Sequence, residues 1–139
     1  MNPYGAAVIK MEKKKKKIIL ICSNGGHLAQ ILELKDLFMQ YDYLLVTEES
    51  PTTLPLKDKY NVRFLKARSL GKKRDLSFFL TVFSNGFLSL KLLMQHYPKA
   101  IITTGSHTAL PMCFLGKLFG SKIIWILSFS RINSKAVSA

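Results

Sequence analysis

Two short segments of this chain bring together glycine, hydroxyl or amide groups and a closing histidine: Ser23-Asn24-Gly25-Gly26-His27 and Thr103-Thr104-Gly105-Ser106-His107. Glycines let backbone N–H groups approach an anion, and where such a loop opens a helix the helix dipole favours negative charge. Ser23, Asn24, Gly25 and Gly26 in one loop, and Thr104, Gly105, Ser106 and His107 in the other, are therefore candidates for holding a phosphate-like group. His27 is the candidate catalytic residue. At the first turn of a helix the positive dipole end favours the neutral imidazole, the form that a general base needs. Plainer readings stand beside these. The first loop could be a tight turn that needs glycine for conformation alone, His27 a helix-start residue bonded locally, and Ser106 only an N-cap. Neither loop is a GxGxxG fingerprint, and Glu48 and Glu49 are weak candidates for a ribose-binding carboxylate, so dinucleotide binding is disfavoured.

The elements that must position these loops follow a βαβ rhythm. Ile18–Cys22, Tyr43–Val46, Val62–Leu65, Ala100–Thr103 and Lys122–Leu127 are short apolar runs without alternation, as expected of strands in a parallel sheet covered on both faces. Between them the pattern predicts helices over Leu28–Met39, from Asp75 as N-cap to about His96, and over Thr108–Phe119 with Pro111 in its first turn and Gly120 at its stop. Pro51–Tyr60 reads as a loop with one short helix. Five strands with right-handed crossovers, three helices and a long β2–β3 loop predict an α/β, Rossmann-like doubly wound sheet of order 3-2-1-4-5. In that order β1 and β4 are neighbours at the switch point, so the two histidine-ended loops converge on one crevice.

At 139 residues the chain fits one domain, read as residues 13–139 behind a flexible leader at 1–12. A formal net charge of +13 favours a polyanionic partner: nucleic acid, an anionic membrane or a phosphorylated substrate. With no recognition-helix pattern and no interleaved aromatic strand, nucleic acid is disfavoured. Cys22 and Cys113 form no CxxC or Cys/His cluster, so neither a zinc site nor a disulfide framework is expected, and no cofactor is implied. The run Lys13–Lys17 before Ile18 is not a secretory signal, because the apolar stretch is short and passes at once into Ser23-Asn24-Gly25-Gly26.

From Leu76 to Met94 the residues are apolar on nearly two faces, with a narrow polar stripe at Ser77, Thr81, Ser84/Asn85, Lys91 and Gln95. Ser84-Asn85-Gly86, Ser89 and Lys91 interrupt a transmembrane span, and removing the helix would leave β3 and β4 without a crossover. Two readings remain: a wholly buried crossover helix, or one whose surplus apolar face, behind the basic Lys72-Lys73-Arg74, meets an anionic bilayer or a partner.

Three segments carry a family resemblance: strand-Ser23-Asn24-Gly25-Gly26-His27-Leu28, then Ile101-Ile102-Thr103-Thr104-Gly105-Ser106-His107, then Pro111 to Lys122. From about Lys17 to Asn133 the chain resembles the N-terminal-half subunits of split GT-B glycosyltransferases. That family includes the membrane-anchoring subunit of the eukaryotic dolichol-linked UDP-GlcNAc transferase and bacterial capsular and exopolysaccharide β-1,4-galactosyltransferase enhancers. The bacterial branch is the nearer, since Arg131-Ile132-Asn133 resembles its segment after the fifth strand. Where the family usually shows Glu followed by Ser or Thr, Phe, a small residue and Arg, this chain has Leu127-Ser128-Phe129-Ser130-Arg131. The resemblance implies an acceptor-binding subunit, active only as a heterodimer with a donor-binding chain. It implies a polyprenyl-diphosphate-sugar acceptor and a peripheral place on the cytoplasmic face of the plasma membrane. The rival expectations are a stand-alone Rossmann-type nucleotide-binding enzyme and an inactive truncated subunit.

Overall fold

The computed structural model describes residues 14–66, 76–105 and 107–127. The leader at 1–12, Lys13, the Lys72-Lys73-Arg74 cluster, Asp75, Ser106 and the Ser128–Asn133 segment lie outside the described residues. Five parallel strands, β1 (Lys17–Ile21), β2 (Asp42–Glu48), β3 (Val62–Leu65), β4 (Ala100–Thr103) and β5 (Lys122–Trp125), form one sheet of order β3-β2-β1-β4-β5, as the sequence predicts. The central strand explains why the runs are apolar throughout. Alternate residues of β1 enter opposite layers, Ile19 and Ile21 on one side, Ile18 and Leu20 on the other, and all four are buried.

The helices differ from expectation in number. Leu28–Met39 is two helices, α1 (Gly26–Leu32) and α2 (Lys35–Gln40), and with α3 (Leu76–His96) and α4 (Leu110–Leu118) the described residues hold four α-helices instead of three. The break is a local turn, in which the Leu34 N–H bonds to the Ile31 carbonyl at 3.0 Å and the Leu37 N–H to the Leu34 carbonyl at 2.9 Å. It lets Leu28 and Ile31 of α1 enter the core while α2 turns to the start of β2, where Phe38 stacks on Tyr43 with ring centres 4.4 Å apart. The long β2–β3 loop contains the expected short helix, a 3₁₀ turn at Leu54–Asp58. Thr53 fixes it from a fully buried position, donating to the Glu48 carbonyl at 2.7 Å and accepting the Ser50 N–H at 2.8 Å.

α3 is a crossover helix that turns an apolar face outward, the second of the two readings given above. Its buried side includes Asn85 and Ser89 beside Leu92 and Leu93, while Leu76, Phe79, Leu80, Phe83, Phe87 and Met94 are exposed. Asn85 supplies the reason. Its side-chain amide donates to the Lys66 carbonyl at 3.0 Å and its side-chain carbonyl accepts the Lys66 N–H at 2.9 Å, so it continues the hydrogen bonding of β3 past the strand's end. At the C-terminal end of α3 the His96 ring lies 3.1 Å from the Ile18 carbonyl. With the middle and the C-terminal end of the helix held through polar contacts, the phenylalanine stripe at i, i+4, i+8 points away from the sheet. The wholly buried crossover helix is thereby excluded. The stretch Phe78–His96 is long and apolar enough to cross a membrane, with a mean hydropathy of 1.3, and 17% of that window is buried against the protein.

Candidate functional site

The crevice forms where the sheet topology predicts it. Ile21 pairs with Thr103, so the loops leaving β1 and β4 start side by side at the carboxyl ends of adjacent strands. A direct bond joins them: the Thr104 hydroxyl donates to the His27 carbonyl at 3.1 Å. Thr103 and Gly105 stiffen the second loop, the buried Thr103 Oγ1 accepting the Gly105 N–H at 3.0 Å.

Both loops turn on a glycine that no other residue replaces without strain. Gly25 has φ +91° and immediately precedes α1, and Gly105 has φ +94°. Their surroundings differ. A Cβ on Gly25 would meet open space, whereas one on Gly105 would sit 3.0–3.2 Å from the indole of Trp125. The β4 loop therefore rests on the ring of the chain's one tryptophan, through a contact that leaves no room for a side chain.

Asn24 is held across the crevice. Its side-chain amide donates to Ser50 Oγ at 3.0 Å and Thr52 Oγ1 at 3.1 Å, and its Oδ1 accepts the Gly25 N–H at 2.7 Å. Glu48, half-buried at the end of β2, accepts a hydrogen bond from the Thr108 hydroxyl just before α4. Three cross-loop ties, Thr104 to His27, Asn24 to Ser50 and Thr52, and Glu48 to Thr108, thus shape one polar crevice from three strand ends.

Of the residues singled out by sequence, Asn24, Gly25, Gly26, His27, Thr104 and Gly105 line or brace this crevice, with Ser23 leading into it. His107 lies exposed in the turn that leads to α4. The N-cap position of α4 is Ala109, and Ser106 lies outside the described residues. Sequence reasoning missed Ser50, Thr52, Thr108 and Trp125, and gave Glu48 only a weak ribose-binding part. The Glu48 carboxylate is engaged by Thr108 instead of being held out for a sugar hydroxyl. The signal for Ser50 and Thr52 was their place just past the end of a strand adjoining β1.

Beneath the crevice, burial pushes the Cys22 thiol up to about 12, the Thr47 hydroxyl opposing and the Glu48 charge adding to the shift; burial likewise pushes Cys113 up to about 11. Neither thiol is a nucleophile at neutral pH. A folded-state value above the unfolded one means stability present in full below pH 9, the unfolded value, and lost as pH rises toward 12. Cys22→Ala is expected to flatten this alkaline loss by up to about 1.4 kcal/mol per pH unit. The check is Tm against pH from about 8 to 11; parallel curves for the variant and the parent would refute it.

The fold and the crevice define a class: a doubly wound Rossmann-like sheet with a polar cleft at its switch point, the architecture of an N-terminal half of a GT-B fold. No family model matches the chain, and no curated protein matches it in sequence. Among solved structures it is similar to the crystal structure of Acinetobacter baumannii MurG, with a TM-score of 0.61 and 20% sequence identity. The likeness covers 78% of this chain and 33% of MurG, so the matched part is about a third of MurG's length.

Proposed function

We propose that this chain is the acceptor-binding, membrane-associating subunit of a two-chain glycosyltransferase of polysaccharide biosynthesis. The observation that carries the reading is the junction of the β1 and β4 loops at the strand ends, where Thr104 bonds to His27 and Asn24 to Ser50 beside exposed backbone at Gly25 and Gly26. Such a site suits the diphosphate of a polyprenyl-linked sugar. The likeness in fold to one part of MurG is consistent with half of a GT-B molecule. The donor, a UDP-galactose or UDP-GlcNAc, is assigned to a separate partner chain that closes the crevice from outside.

The membrane part of the proposal rests on the outer face of α3, where Phe79, Phe83 and Phe87 are exposed among the described residues, and on a net charge of +13 with Lys14, Lys15 and Lys16 exposed. Together they suit peripheral attachment to an anionic leaflet, which on the proposed pathway is the cytoplasmic face of the plasma membrane. His27 is the residue in the crevice placed to act on the ligand, and His107 is assigned to acceptor affinity.

The test is reconstitution. Alone, the purified chain should transfer no sugar from UDP-galactose or UDP-GlcNAc to a short-chain polyprenyl-diphosphate-sugar, yet this acceptor should alter the emission of Trp125 by disturbing the loop that lies on its ring. Adding a donor-binding partner chain should restore transfer. Robust turnover by the single chain, or an acceptor that leaves Trp125 emission unchanged, would overturn the reading.

A further inference from the structure

We propose that the outer edge of β5 is a docking site for an extended strand of an acidic partner polypeptide, which continues the sheet beyond β5. This goes beyond the reading above and does not depend on it. The strand order leaves two outer strands, β3 and β5, and they are finished in opposite ways. In a parallel ladder the N–H and C=O of one residue point to the same neighbour, and those of the next residue point the other way. The Leu45 N–H bonds to the Asn61 carbonyl at 2.9 Å and the Glu49 N–H to the Leu65 carbonyl at 2.9 Å, so Val62 and Phe64 turn their main-chain groups outward. The outward Val62 carbonyl is taken by the Arg63 guanidinium at 3.1 Å, and Arg63 stands exposed in the middle of the strand. A charged side chain on an edge is one way soluble proteins discourage further pairing.

Among the described residues β5 has no such guard. The Lys122 N–H bonds to the Lys99 carbonyl at 2.9 Å and the Ile126 N–H to the Thr103 carbonyl at 2.8 Å, so Ile123 and Trp125 turn their N–H and C=O outward. No described residue bonds these groups. From Lys122 to Leu127 the chain reads Lys-Ile-Ile-Trp-Ile-Leu, with its charge at the start and no proline, and Ile124 and Leu127 are 45% and 56% exposed. An open row of main-chain donors and acceptors beside apolar side chains is the surface used in strand addition, where main-chain bonds supply the affinity.

Charge selects the partner. All 8 Asp and Glu residues lie at or before Asp75. The segment from Leu76 onward therefore carries Lys91, Lys99, Lys117, Lys122, Arg131 and Lys135 with no carboxylate among them. Lys99 and Lys122, exposed and joined through their backbones, stand together at the amino end of β5. A second copy of this chain brings the same uncompensated cations to the edge and is repelled, whereas a strand flanked by Asp or Glu is attracted.

The test reads the single chain and needs no activity, so its failure is separate from that of the glycosyltransferase reading. The probe is a short peptide of alternating Val and Thr with a pair of Glu residues at each end, added to the full ¹⁵N-labelled chain. In the free chain the Ile123 and Trp125 amides should exchange with solvent rapidly and the Ile124 amide slowly. The peptide should slow Ile123 and Trp125 by at least about tenfold and leave Ile124 as it was. The same peptide flanked by Lys should bind at least about tenfold more weakly at low salt, and Lys122→Glu should narrow that difference without lowering Tm. N-methylation of alternate peptide residues should abolish binding when the methyl groups line one edge of the peptide and preserve it when they line the other. Slow exchange of Ile123 and Trp125 before any peptide is added, whether in a monomer or in a self-associated species seen by sedimentation, would show that this chain fills its own edge and would overturn the inference. Binding indifferent to peptide charge or to N-methylation, or no binding at all, would overturn it equally.

Discussion

The double substitution Phe83→Ser, Phe87→Ser should strip this protein from anionic vesicles while leaving its fold intact. The two side chains are 78% and 68% exposed on the outer face of α3, so neither contributes much to the core. Burying a phenylalanine gains about 1.5–3 kcal/mol, and with roughly two-thirds to three-quarters of each ring free to enter a bilayer, the pair accounts for about 2–4 kcal/mol. That corresponds to a loss of roughly 30- to 1000-fold in partitioning. Removal of exposed side chains should move stability by less than about 0.5 kcal/mol. Co-sedimentation with vesicles rich in phosphatidylserine, at low and high salt, reads the result. The parent should bind anionic vesicles better than neutral ones and release with salt, because its basic residues act through a screened field. Unchanged sedimentation of the folded double variant would remove α3 from the membrane contact, and loss of partner-chain binding instead would make the stripe a subunit interface.

That face also shows where sequence reading stops. The five strands were legible because each is a short unbroken apolar run, and the order followed from crossover handedness, so β3 and β4 were located to the residue. The orientation of α3 was not legible. A helix apolar on nearly two faces has no preferred side by composition, and the choice was made by Asn85, whose partner Lys66 is 19 residues away and visible only in three dimensions. The break between α1 and α2 was hidden for a related reason, since Glu33 and Leu34 are neither proline nor glycine and the turn is imposed by where Phe38 must stack.

The site divides in the same way. The glycine loops and histidines announced themselves by type and spacing, and topology alone placed them together. What the sequence did not disclose is that the crevice is braced by residues from other elements. Ser50, Thr52 and Thr108 are ordinary hydroxyls whose roles depend on reaching Asn24 and Glu48 across loops, and Trp125 matters because it fills the space beside a glycine. Chemistry-bearing residues are thus easier to find than the neighbours that position them.

A graded series at three glycines should separate conformation from packing in these loops. Gly26→Ala is expected to be neutral or stabilising by about 0.5–1 kcal/mol, because Gly26 opens α1 with a helical backbone and its Cβ would meet open space. Gly25→Ala should cost about 1–2 kcal/mol, the strain of a side chain at φ +91° with no clash added. Gly105→Ala should cost the most, since the same strain at φ +94° is joined by a Cβ 3.0 Å from the Trp125 ring, so the indole must give by a few tenths of an ångström as well. A total of about 2–4 kcal/mol corresponds to a fall in Tm of roughly 5–15 °C for a domain of this size. The loop should also shift against the Thr104 to His27 tie, so acceptor affinity is expected to drop by at least about tenfold in Gly105→Ala while Gly26→Ala binds as the parent does. Thermal unfolding followed by Trp125 emission reads the first effect and acceptor titration the second. Equal Tm values for the Gly25 and Gly105 variants would show that the Trp125 contact yields freely, and the packing cost assigned to Gly105 would then be wrong.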